Sequence, residues 1–113
     1  MTDARPAGAG VGPPAPAPSS VDPVPEAARV ELDRIRRRWS ELSVDRANLA
    51  GPLVRELVEA VAATTAPGTP VPDLGSAVLV DQLAVVVWDA CAADAIDGAD
   101  LSERLTALRR ALP

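Results

Sequence analysis

From Asp73 to Gly98 the chain reads DLGSAVLVDQLAVVVWDACAADAIDG, and within it lies the most apolar stretch of the sequence, Val78 to Val87. Val85, Val86 and Val87 favour β structure intrinsically, but no turn residues flank them and the neighbouring apolar positions repeat at helical spacing. The stretch therefore predicts a helix from Leu74 to about Ala95, with Asp73 as N-cap and the Asp97-Gly98 turn as its end. On a helical wheel Leu79, Val80, Leu83, Val86, Val87, Ala90 and Cys91 share one broad side, a normal core face. Leu74, Val78, Asp81, Gln82, Val85, Trp88, Asp89 and Ala92 share the other. That second side mixes aliphatics, an indole and three polar groups, which a simple solvent face does not do.

Working outward, Asp100-Leu-Ser-Glu103 has the form of a capping box and opens a terminal helix in which Leu101, Leu105, Leu108 and Leu112 repeat at four-three spacing. Arg109 and Arg110 sit at its C-terminal end, where the helix dipole favours cations. Upstream, a first helix is expected to start around Pro23 to Pro25 with Asp22 as cap, its stripe formed by Ala28, Leu32, Ile35, Trp39 and Leu42. The second helix carries the row Leu49, Leu53, Leu57 and Val61 but also Gly51-Pro52. The reading is one continuous, bent helix ending near Thr65, because proline removes a hydrogen bond and crowds the carbonyl one turn back. Ala66 to Pro72, with three prolines, then forms a stiff loop.

Thr2 to Ser20 holds one large apolar side chain, Val11, among regularly spaced Gly and Pro, and cannot repay the entropy of ordering. Residues 1–22 are accordingly expected to be a disordered tail, with Pro13 to Pro18 acting as a polyproline spacer, and residues 23–113 a helical domain. The fold class is all-α, a compact antiparallel four-helix bundle in which helix three is central.

Composition narrows the function. The 113 residues carry a net charge of −5, which opposes nonspecific binding to nucleic acid or to an anionic membrane. All eleven basic residues are Arg, a coding bias of the kind GC-rich bacterial genomes produce, and this weakens any reading of arginine clusters as chosen for bidentate recognition. His, Lys and Tyr are absent, as are phosphate loops, zinc-ligand spacings and nucleophile elbows, so neither cofactor nor metal is expected. The lone Cys91, flanked by Asp89 and Asp94 with no base nearby, reads as a buried structural thiol, and a cytoplasmic setting follows from the missing disulfide and signal patterns. No apolar run reaches the ~20 residues that span a bilayer.

The segment Glu31-Leu-Asp-Arg-Ile-Arg-Arg-Arg38 resembles the start of the small helical chorismate mutases over these few residues. The Lys and Gln positions of such a fold have no counterpart in pattern, and the resemblance transfers no activity. Arg34, Arg36, Arg37 and Arg38 make a charged face on helix one, offset by Glu26, Glu31 and Asp33. Residues 71–100 hold six Asp and no Arg, so the two regions are expected to complement each other, with Asp81 pairing to an Arg of helix one or four.

The candidate interaction residues are Val78, Asp81, Gln82, Val85, Trp88 and Asp89. They support a non-enzymatic interaction or adaptor domain, self-associating or binding a helical protein partner through helix three. Two alternatives remain: a small regulator linked to transcription or nucleic acid, and a carboxylate-dependent enzyme. A competing arrangement of the monomer would swing helix one over this face so that Trp39 meets Trp88.

Overall fold

The structure is a computed structural model and describes residues 22–113. The expectations for the tail, Asp22 apart, lie outside the described residues. Helix α1 spans Glu26–Glu41, α2 Val44–Ala62, α3 Leu79–Ala92 and α4 Gly98–Ala111, with a 3-10 turn at Ser76–Val78 leading into α3. The described residues are all-helical and form the expected compact bundle.

The four-three stripe of α1 is its core face: Ala28, Leu32, Ile35 and Trp39 are buried, and Leu42 packs at the edge. Asp22 does not cap the helix. Its carboxylate accepts the N–H of Val24 at 2.8 Å and pairs with Arg29, which turns the chain and buries Val24, while Pro25 takes the cap position without a side-chain bond. Two residues after α1, the Ser43 hydroxyl accepts the Arg46 N–H at 3.2 Å and caps α2.

α2 runs continuously through Pro52 and stops at Ala62, short of Thr65. Gly51 makes that passage tolerable, because a residue before proline is crowded in the helical region chiefly through its N–H and Cβ, and glycine has no Cβ. The buried face of α2 is Ala47, Ala50, Gly51, Val54, Val58 and Val61. Of the row Leu49, Leu53, Leu57 and Val61, Val61 alone is buried: Leu49 is 81% and Leu53 42% exposed, and Leu57 is half-buried. Small residues line the inner face because α2 lies close against α3; a Cβ on Gly51 would stand 3.5 Å from Leu79 Cδ1.

α3 begins five residues later than the apolar pattern suggests. The Asp73 carboxylate accepts the Gly75 N–H at 3.1 Å, and Gly75 has φ 92°, a left-handed conformation incompatible with a helix through it. The helix also ends early, in a Schellman motif centred on Asp94 at φ 52°. The Ala95 N–H bonds Ala90 O at 2.8 Å and the Asp94 N–H bonds Cys91 O at 3.0 Å. Asp97 then caps α4 by accepting the Asp100 N–H at 3.0 Å, so Asp100 is not the cap; it pairs with Arg104 one turn on. Leu101, Leu105, Leu108 and Leu112 are all buried, as their spacing predicts.

The main pairings are α1 with α4 and α2 with α3, so helix three is a flank of the bundle and not its hub. Contacts along the elements give their directions. Gly51 meets Leu79, and Ala62 and Ala66 share a groove with Val85 and Val86, so α2 and α3 run alike. Arg36 meets Asp81 and Trp39 meets Ser76, so α1 runs against α3. The long connection over residues 63–75 allows this by carrying the chain back along α2. It is tied down by Arg55 Nη2 donating to Val71 O at 2.8 Å, Gln82 Nε2 to Pro72 O at 3.0 Å, and the Ser76 hydroxyl to Asn48 Oδ1 at 2.7 Å.

Candidate functional site

The inner side of α3 is the predicted one: Leu79, Val80, Leu83, Val87 and Ala90 are buried, with Val86 and Cys91 packed against the same core. The outer side stays uncovered. Val85 is 59% and Trp88 50% exposed, each one turn from the next on a single stripe. α1 does not swing over them. The Trp39 indole N–H donates to Ser76 O at 3.0 Å, so α1 crosses the start of α3 and leaves Trp88, twelve residues on, in the open.

Polar groups rim this stripe. Arg36 Nη1 donates to Asp81 Oδ1 at 2.7 Å, the pairing expected from the charge contrast between the two regions. Gln82 is half-buried; its Nε2 donates to Pro72 O, while its Oε1 is buried with no donor among the described residues. Asp89 is exposed and forms no ion pair among the described residues. Val78, half-buried at the end of the 3-10 turn, completes the set, so all six candidate residues share one surface.

A groove of about 420 Å³ opens along the upstream half of the stripe, between Pro70, Val71 and Leu74 on one wall and Val78, Val85 and Val86 on the other. Sequence reasoning missed the loop wall. The signal was there in Pro70-Val71-Pro72, because alternating prolines hold an extended segment that can lie flat against a helix.

The charged face of helix one divides. Arg36 turns to α3, whereas Arg34, Arg37 and Arg38 line a shallow cleft of about 270 Å³ with Arg109 and Glu41. Acids interleave these cations: Glu31 pairs with Arg34 at 3.2 Å and with Arg109, and Glu41 pairs with Arg38 at 3.5 Å. The Arg109 guanidinium holds the Glu31 carboxyl below its ordinary range, against the opposing effect of burial. Cys91 is half-buried, and burial, with a smaller effect from the Asp22 carboxylate, pushes its thiol up and away from thiolate chemistry.

Among the described residues no group of three or more His, Cys, Asp or Glu side chains is placed to hold a metal ion, and no helix is long and apolar enough to cross a membrane. Comparison of the chain with known protein families, with curated proteins and with solved structures finds no match.

Proposed function

We propose that this domain is a non-enzymatic interaction module that works in the cytoplasm and self-associates through the outer face of α3. The observation that carries the reading is the exposure of Val85 and Trp88 together, beside an apolar groove and inside a polar rim. Burying an indole and two valines contributes a few kcal/mol at ~25 cal/mol per Å². Contiguous apolar surface rimmed by polar groups marks contact sites more often than solvent-facing helix does. The groups on this face are suited to contact, since its carboxylate Asp81 is engaged by Arg36. Cys91, the single cysteine of this sequence, has no second cysteine to pair with, which fits a reducing compartment.

Light scattering after gel filtration tests the reading. Wild type is expected to be a dimer, and Val85→Arg a monomer with unchanged helical circular dichroism. A wild type that stays monomeric as concentration rises, or a dimer indifferent to Val85→Arg, would sink it.

A further inference from the structure

Away from α3, the arginines of α1 and α4 gather with fewer acids than they need. Pro25 lies beside Gly98, Glu31 pairs with Arg109, and Arg38 Nε donates to Pro113 O at 2.6 Å, so α1 and α4 run alike and bring their C-terminal turns together. The cleft of about 270 Å³ lies on this seam, lined by Arg34, Arg37, Arg38 and Arg109 with Glu41. We propose that it binds the phosphate group of a small ligand, inorganic phosphate or a phosphate monoester, with Arg37 as the unpaired cation that takes it and Arg34, Arg38 and Arg109 as a fixed surround.

Charge favours such a ligand. Four guanidiniums here meet two carboxylates, Glu31 and Glu41, in a protein whose net charge is −5. Two positive charges are left over, and a phosphate monoester carries about −1.5 to −2 at pH 7. Arg37 is exposed and makes no ion pair among the described residues, although Asp33 stands four positions before it. Along α1, Arg34 lies at i,i+3 from Arg37 and at i,i+4 from Arg38, spacings at which like charges repel. The helix dipole accounts for Arg38 and Arg109, which stand in the last turns of α1 and α4. It does not account for Arg34 or Arg37, which precede the last turn of α1. The all-arginine composition explains why these cations are not lysines, but not why four of the eleven line one cleft.

The surround is also held in advance. Buried Glu31 accepts from Arg109 Nε at one oxygen and from Arg34 Nη1 at the other, and Arg38 is held through its Nε. A guanidinium carries N–H donors on three nitrogens, so each of these arginines is fixed by part of its fork and keeps donors for a ligand. Side chains already ordered lose less freedom on binding. The volume falls just below the ~300 Å³ at which drug-sized pockets begin, which suits a single phosphate group. A nucleic-acid backbone would need cations continued along the surface, and the net charge opposes it.

Isothermal titration calorimetry of the full chain at low ionic strength, with inorganic phosphate and with O-phosphoserine as separate probes, tests the site. One-site binding is expected with a Kd below about 1 mM for at least one probe, and the tighter of the two identifies the source. Arg37→Gln should weaken it at least about tenfold, the loss of a charge-assisted bond. Glu41→Gln, which removes an acid from among the cations, should tighten it about threefold. Arg104→Gln makes the same charge change as Arg37→Gln on the α2 side of α4 and should stay within about twofold of wild type. Arg37, Glu41 and Arg104 are exposed, and circular dichroism checks that the variants are folded. Absence of saturable binding by either probe, an Arg104→Gln loss equal to that of Arg37→Gln, or weaker binding by Glu41→Gln would overturn the site.

Discussion

Glu31 is the one buried acid among the described residues, and the guanidinium that holds it, Arg109, lies 78 positions away in the chain. The pair joins α1 to α4 where leucines alone would leave their relative slide loosely set. The folded carboxyl ionises below its ordinary 4.5, so its contribution is fully present above that value and is lost as pH falls through the lowered folded one. Glu31→Gln should therefore lower stability by about 1–2 kcal/mol at pH 7. In urea titrations the gap between variant and wild type should close as pH drops below 4.5; a gap that persists in acid would mean the carboxylate charge is not what matters. Asp81 and Arg36 could be matched from the sequence because one region is Arg-rich and the other holds only acids. Glu31 could not, since within Glu31-Leu-Asp-Arg-Ile-Arg-Arg-Arg38 it looks like one more solvent charge. Asp94 was hidden for a related reason: a helix stop is usually announced by glycine, and here an aspartate takes the left-handed position four residues before Gly98.

At the scale of elements, four helices were legible from apolar spacing, and the buried rows of α1, the inner side of α3 and α4 followed it closely. α2 is the exception, and the reason is packing. Side-chain size points to Leu49, Leu53 and Leu57 as core, yet close approach to α3 favours the small residues on the adjacent stripe, Ala47, Ala50, Gly51 and Val54. Pro52 sits on the exposed side, where the carbonyl that it deprives of a donor can turn to water. Pro52→Ala should restore the missing bond and raise stability by about 1–3 kcal/mol, less the chain entropy that proline removes from the unfolded state. Thermal unfolding checks this as a rise of several degrees for a domain of this size. An unchanged or lowered midpoint would indicate a helix already broken at Gly51-Pro52. The ends of α3 were the least legible boundaries, because Gly75 and Asp94 set them through φ angles that the apolar pattern does not register.

Taken as a whole, the molecule builds its core from Ala, Val, Leu and one Ile, with Trp39 buried and Trp88 left outside. Pairing α1 with α4 and α2 with α3 places α3 on a flank, and the returning connection at Pro70 to Leu74 raises a wall beside it. The uncovered stripe could be read from the helical wheel; of the groove, the extended character of Pro70-Val71-Pro72 was legible, but not the path that lays this segment beside α3. Whether that stripe is a contact face is tested most directly by acrylamide quenching of tryptophan fluorescence over a dilution series, because Trp39 is shielded and the quenchable signal reports Trp88. The account predicts that the quencher-accessible fraction in wild type falls as protein concentration rises, while in Val85→Arg it stays high throughout. An accessible fraction that does not change with wild-type concentration, up to levels where a weak dimer would form, would contradict it.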